Sequence, residues 1–281
     1  MKRAMPILIL AVAMAASSAS AQNPSWQRTT EPPEAVEVFA ANSAFNHPTA
    51  QTLGRRNLQI DIAHRFEPPL SRGMKEFSGF DGPANIRLAL SYGLSDRLDL
   101  GLGRSNVLDN VDLSAKYRLA PRRLAGVTWA VAVQGGMAWT LEQIRERSHG
   151  NRHNFQYLAH LIVNARVHPR LALGLVPSYL YNPDVYSYHA DRLWTLGLYV
   201  QGDLTERASL IVELNPTLDG PDRGHAAASW GLQLETGGHF FKMFVTNTTT
   251  PNLAHYLAGS ENSFATDEWR FGFLITRVLY L

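Results

Sequence analysis

"RLALSYGLSDRLDLGLGRS", residues 87–105, carries a leucine or tyrosine at every second position for most of its length. Leu88, Leu90, Tyr92 and Leu94 share one phase, and after Ser95-Asp96 the pattern resumes with Leu98, Leu100 and Leu102. Between them stand Arg87, Ala89, Ser91, Gly93, Asp99, Gly101 and Gly103. A period of two belongs to β-strands, whose successive side chains point to opposite faces. Two adjacent strands, joined by a two-residue turn, are therefore oily on one side and charged, polar or empty on the other. The rest of the chain decides which side faces out.

Alternation of the same kind recurs from residue 57 onward. "NLQIDIAHRF" sets Leu58, Ile60, Ile62 and Phe66 against Gln59, Asp61 and Arg65. "NVDLSAKYRL" sets Val111, Leu113, Ala115, Tyr117 and Leu119 against Asp112, Ser114, Lys116 and Arg118. Further segments follow around residues 127–134, 154–167, 171–181, 194–204, 210–214, 228–234, 240–246 and 268–281. The total is about twelve strands, an even number as expected of a single-chain outer-membrane barrel. Short turns, at "SD" 95, "PRR" 121, "HPR" 168, "TER" 205 and "GG" 237, alternate with mostly longer connections at 67–83, 105–109, 140–152, 182–192, 218–224 and 247–267. Short periplasmic turns and long outer loops are sorted in this way in transmembrane barrels. A soluble sandwich has no reason to sort them.

The aromatic residues give an independent sign. With the first strand running outward, Tyr92, Tyr117, Trp129 and Phe240 fall near periplasmic ends. Phe66, Trp139, Phe155, Tyr157, Tyr179, Tyr181, Trp194, Trp269 and Phe271 fall near outer ends. Two girdles at headgroup level suit amphipathic rings. The expected fold is an all-β, antiparallel, up-and-down transmembrane barrel over residues 57–281. Its leucine phase faces lipid and its mixed phase faces a lumen, where Gly93, Gly101 and Gly103 leave room for long side chains from neighbours.

Export is written at the start of the chain. Lys2 and Arg3 precede an apolar run over residues 4–16, and Ala19-Ser20-Ala21 offers small residues for cleavage. This order is that of a secretory signal peptide, 1–21. The apolar run is well below the ~20 residues that span a bilayer. Residues 22–56 hold Pro24, "EPPE" and "NHPTAQTLG" and little periodicity; they form a periplasmic lead-in or linker, which either stays in the periplasm or tucks into the lumen. No later stretch is apolar enough for a membrane helix, so a membrane home requires a closed barrel. The chain has no cysteine, a formal charge of +2 and 18% charged residues. Those totals exclude disulfides and thiolate metal sites and give no basic face for nucleic acid.

"VFAANSAFNHPTAQTLGRRNLQIDIAHRFEPPL" (38–70), "GFDGPANIRLALSYGLSDRLDLGLGRSN" (79–106) and "DLSAKYRL" (112–119) resemble a family of uncharacterised bacterial outer-membrane β-barrel proteins. "FGFLITRVLYL" (271–281) is similar to that family's closing strand. The resemblance is dense over residues 38–119, thin through the middle, and returns at the C-terminus. It implies the barrel fold and a Gram-negative-type outer membrane, and no activity. The closing strand, the expected contact for the barrel assembly machinery, ends "LYL" where such signals commonly end on an aromatic. Arg277 interrupts its apolar phase of Trp269, Phe271, Phe273, Ile275, Leu279 and Leu281. Either Arg277 snorkels to headgroups or a bulge turns it inward.

The candidate lumen-lining residues are Asp61, Arg65, Arg87, Asp99, Asp112, Lys116 and Arg118 on the first four strands, then His160, Glu213, Glu235 and Arg270, with Gln233 beside them. Mixed charges on adjacent strands either pair and fill the interior or line a watery path and bias what passes. An enzyme finds little support. His64 lies on the lipid phase near an outer end and Ser91 on the lumen phase near the other end, too far apart for a nucleophile and its base. No metalloprotease, nucleophile-elbow, phosphate-loop or EF-hand pattern appears, and no cofactor or metal is expected. Tyr186, Tyr188, His189, His255 and Tyr256 in the loops offer an external binding surface at most. A soluble lipocalin-like barrel would bury its apolar phase and usually fills at about eight strands. The reading is porin-like or transport-related passage of small solutes, without enzymatic activity, with outer-membrane lipids as partners. The alternative is a plugged barrel serving as a structural or adhesion platform.

Overall fold

In a computed structural model, residues 37–265 and 267–281 are described; the expected signal peptide and residues 22–36 lie outside the described residues. The alternating stretches are strands: β1 (Leu58–Phe66), β2 (Ala84–Ser95), β3 (Leu98–Ser105), β4 (Val111–Arg118), β5 (Arg122–Leu124), β6 (Val127–Trp139) and β7 (Phe155–His168). β8 (Leu171–Tyr181), β9 (Arg192–Asp203), β10 (Ala208–Asn215), β11 (Thr217–Asp219), β12 (Ala227–Glu235), β13 (His239–Thr246) and β14 (Arg270–Leu279) follow. β5 pairs with the same neighbour, β6, as β4 does, and β11 with the same neighbour, β9, as β10 does. These segments therefore make twelve wall strands. All pair antiparallel in chain order, and β14 closes on β1 from Leu58↔Leu279 to Arg65↔Gly272. No edge is left, which is the condition for strands to cross hydrocarbon.

The opening stretch behaves as its spacing demands. Leu90 stands opposite Leu102 and Tyr92 opposite Leu100 across the β2–β3 ladder. All four are among the exposed large side chains, with Leu88, Leu113, Val133, Leu161, Leu173, Val212 and Leu232. Apolar exposure in a continuous belt of this kind marks contact with lipid. The space expected at Gly103 is used: a Cβ there would lie 2.3 Å from the Arg87 guanidinium.

Three local expectations need correction. "PRR" is not the β-turn. Arg122–Leu124 continues the wall and pairs with residues 127–129, and the turn is Ala125-Gly126, both at positive φ (50° and 79°). A pair of left-handed residues gives a two-residue turn the twist of the strands it joins. Phe240 faces inward, 4% exposed, against Ala41, Leu53 and Val278, while Phe241 faces lipid. The doublet hid the phase, which Lys242 on the inner side sets. The lumen face is also less polar than expected: Leu158, Ile162, Val176, Leu180, Leu193, Ile211 and Phe244 all point in and are buried.

Arg277 is turned outward. Its ladders to Ile60 and His239 run without a bulge, and its guanidinium approaches the His239 ring at 2.8 Å near the periplasmic end. That is the placement in which a long cation reaches the headgroups.

The lipid-facing assignment has a direct consequence at Leu90, which lies near the middle of β2. Leu90→Arg should lower folding stability in lipid vesicles by about 2–4 kcal/mol, read from urea-dependent loss of the folded band. Leu90→Val should change it little.

Candidate functional site

The described part of the lead-in, residues 37–56, lies inside the barrel. From the periplasmic rim residues 37–56 rise into the lumen, turn, and descend to enter β1. The tip is a tight hairpin: Ser43 bridges Pro48, Ala44 N donates to His47 O (2.9 Å) and Thr49 N to Asn42 O (3.0 Å). So short a hairpin leaves most of its backbone groups unpaired, and inside a barrel they must find partners elsewhere.

Wall side chains supply them. The Glu213 carboxylate of β10, 1% exposed, accepts from the backbone N–H groups of Phe45, Asn46 and His47 at 2.9–3.0 Å and from Asn46 Nδ2 at 2.8 Å. Three convergent N–H groups form a natural seat for an anion. The carbonyls meet cations. Lys242 Nζ donates to Ser43 O (2.6 Å) and Ala44 O (2.7 Å), and Lys116 Nζ to Asn42 O and Thr49 O (3.2 Å each). Arg65 donates to Asn46 Oδ1 at 2.8 Å while its guanidinium lies 4.3 Å above the Phe244 ring. Lower down, Asn164 accepts from Ala50 N (2.7 Å), Asp99 from Leu53 N (3.1 Å), and the Tyr199 hydroxyl donates to Pro48 O (3.1 Å). Arg166 and Arg118 hold the rim through Val38 O (2.6 Å) and Gln51 Oε1 (3.3 Å).

Apolar packing accompanies this polar seat. Phe45 stacks on Phe244 with ring centroids 4.4 Å apart, and Phe39 meets Tyr199 edge-on at 5.3 Å. Together with Ile162, Val176, Ile211 and Leu274 they make a core enclosed by the barrel. His47 lies over Gly197, where a Cβ would sit 2.4 Å from its ring.

A second segment closes the outer end. Residues 247–260 fold into the mouth around a short helix, α1 (Leu253–Leu257), capped by Asn252. Leu257 packs with Leu158, Leu180 and Leu193, and the Tyr256 ring meets His47 edge-on at 5.3 Å. The loop is latched to the opposite wall. Asn252 Nδ2 reaches Asn110 Oδ1 (2.6 Å) and Asp112 Oδ2 (3.3 Å), and Asn85 Nδ2 reaches Thr249 O (2.8 Å).

The hairpin packs against the apolar side and leaves the charged side partly open. A cavity of about 150 Å³ remains along β1–β4 and β6, lined by Asp61, Arg87, Ser91, Asp112, Ser114, Lys116 and Gln134 and roofed by residues 251–254. A second, of about 320 Å³, opens at the periplasmic mouth beside Glu235 and Tyr280; both are lined by Asn42 and Gln59.

The sequence-derived candidates thus divide by place. Arg65, Asp99, Lys116, Arg118 and Glu213 hold the hairpin. Arg87 and Asp112 pair through two hydrogen bonds of 2.8 and 2.6 Å. Asp61 accepts from Gln59 Nε2 (2.7 Å) and Thr276 Oγ1 (2.5 Å) on the cavity wall. Glu235 borders the periplasmic mouth. Arg270 sits at the outer rim, donating to the carbonyls of Glu67 and Glu268. His160 Nδ1 lies 2.7 Å from Ser178 Oγ, which is 3.0 Å from Val176 O. If the one hydroxyl hydrogen goes to that carbonyl, the imidazole must donate to the serine, the reverse of a base activating a nucleophile. Lys242, Asn164 and Tyr199 were not singled out from sequence. The inward phase of Asn164 is legible in the sequence, whereas Lys242 shares the phase that the Phe240-Phe241 doublet hides; the peptide they hold is not legible.

The membrane-bound beta barrel domain family (DUF5777) matches residues 39–279. The chain belongs to this family. The match begins within the hairpin segment and runs to the end of β14, so plug and wall lie inside one domain. Closed, even-stranded antiparallel barrels of this kind are outer-membrane architecture, and this chain is an outer-membrane barrel. No curated protein matches it. Among solved structures it is similar to the NanC porin (12% identity, 80% of this chain and 99% of that one, TM-score 0.48). It is also similar to the KdgM porin (11%, 79% and 99%, 0.47) and to outer membrane phospholipase A from Escherichia coli (14%, 81% and 90%, 0.43). No activity passes from these structures to this chain.

Two outcomes follow for the hairpin. Glu213→Gln sets an amide against the three N–H donors, removing about 1.5–3 kcal/mol, so hydrogen exchange at Phe45, Asn46 and His47 should quicken at least tenfold. Burial, with His160 nearby, pushes His47 down to about 3. An unseated hairpin takes up a proton near the ordinary value of 6.5 and the seated one does not, so seating weakens as pH falls below 6.5. Exchange protection at these amides should drop between pH 7 and pH 5, and His47→Gln should flatten that dependence.

Proposed function

We propose that this barrel is a narrow, lidded conduit for small polar solutes and not an enzyme. Solutes pass along the charged wall formed by β1–β4, beside a hairpin that stays seated as a constriction. One observation carries this reading: an unfilled space lies along the polar wall of β1–β4 and β6, and it shares Asn42 and Gln59 with a second space that opens at the periplasmic mouth. On the apolar side Phe39 and Phe45 pack the interior, and the space there lies at the periplasmic rim, around Arg166, Asp203 and Glu235. Withdrawing the hairpin would expose Ile162, Val176, Ile211 and Phe244 to a wet lumen, so opening by its ejection is the costlier route. Residues 247–260 are the movable part: three side-chain hydrogen bonds from Asn252 and Asn85 latch them across the mouth, and their release bares the Leu158, Leu180 and Leu193 cluster, which is smaller than the one around the hairpin.

The plugged platform is the competing reading, and the enclosed apolar core favours it. Planar-bilayer recording, with liposome swelling for uncharged sugars, separates the two. The unaltered protein should show brief, small openings. Asn252→Ala with Asn85→Ala should lengthen them, and Arg87→Ala should change the open current. A correctly folded double variant that stays silent in both assays overturns passage and leaves the platform.

A further inference from the structure

We propose that residues 67–83, the loop between β1 and β2, form a lateral arm that rests on the outer leaflet beside the β14–β1 seam, with Met74, Phe77 and Phe80 among lipid acyl chains. The lipid-facing wall ends there in aromatic rings, and the loop extends that surface. Phe80 lies 4.6 Å from Phe271 and 5.1 Å from Phe66, both outward-facing wall residues, and Phe77 lies 5.8 Å beyond Phe80. Phe80 is therefore laid on the outside of the barrel, whereas residues 247–260 turn into its mouth.

The first part of the arm is fastened to the neighbouring loop. Leu70 N donates to Trp269 O and Ser71 Oγ to Asp267 O, each at 2.8 Å. Its far part turns sharply, with Phe77 and Ser78 at φ 44° and 54°. These uncommon backbone conformations leave Met74 82% and Phe77 60% exposed. An apolar cluster of this kind marks an interaction surface. The surface with which it is continuous is the lipid belt, so the occupant is acyl chain. Arg72, Lys75 and Glu76 on the same turn give the arm a polar side for the headgroup layer, the make-up of an interfacial segment.

The chain has no cysteine, so single spin labels at Met74→Cys and Phe77→Cys report only the arm, with Tyr188→Cys on a different outer loop as the aqueous reference. In phosphatidylcholine vesicles, the ratio of oxygen to nickel-chelate accessibility should be several-fold higher at 74 and 77 than at 188. Equal ratios at all three positions overturn the proposal. So does shielding from both reagents with dipolar coupling between labels, which would make the arm a contact between two copies. The readout needs no transport, so its failure is distinct from failure of the conduit.

Discussion

Hydrocarbon offers no partner to a backbone N–H or C=O, and every strand of this chain is arranged around that fact. The β14–β1 ladder turns an open sheet into a ring, and the alternation of side chains then separates an oily exterior from an enclosed interior. Closure solves the backbone problem for the wall and creates another inside it. A twelve-stranded ring holds more space than its own side chains fill. Here the chain fills it with about twenty of its own residues.

That peptide is held mainly by side-chain-to-backbone hydrogen bonds from the wall. Glu213 faces the N–H groups of the tip, while Lys116 and Lys242 face its carbonyls. Charges that would be costly if buried alone are thereby each given several partners, and the hairpin's unpaired backbone is satisfied by the same contacts. The two sides of the lumen differ as a result. Toward β7–β14 the interior resembles a soluble core around Phe45 and Phe244. Toward β1–β4 it stays polar, with the Arg87–Asp112 pair beside an unfilled space.

The wall was largely legible in the sequence because its period is local. Leu88, Leu90 and Leu100 declare their face through their immediate neighbours, and a ladder adds only the partner. Errors fell where local pattern is ambiguous, as in the Phe240-Phe241 doublet, or where a turn competes with a strand extension, as at residues 121–126. The site was less legible. Alternation places Asp99, Lys116 and Glu213 on the inner face, but it carries no sign that their partner is a backbone and not another side chain or water. Most of the residues they hold lie in an aperiodic stretch, 38–56, whose conformation is set by the wall and by nothing in its own spacing. The tight Asn-His-Pro turn at 46–48 was visible as a turn; that a carboxylate 166 residues from His47 would bind it was not.

The seated hairpin is tested most directly by crosslinking. Asn46 Nδ2 lies 3.1 Å from Ser229 Oγ, and the natural chain offers no competing thiol. With Asn46→Cys and Ser229→Cys together, a disulfide should form in nearly all molecules in intact outer membranes, with both thiols lost to labelling. Two free thiols, with the one at position 46 modified by a bulky water-soluble reagent supplied from the periplasmic side, would place the hairpin outside the barrel and contradict the account.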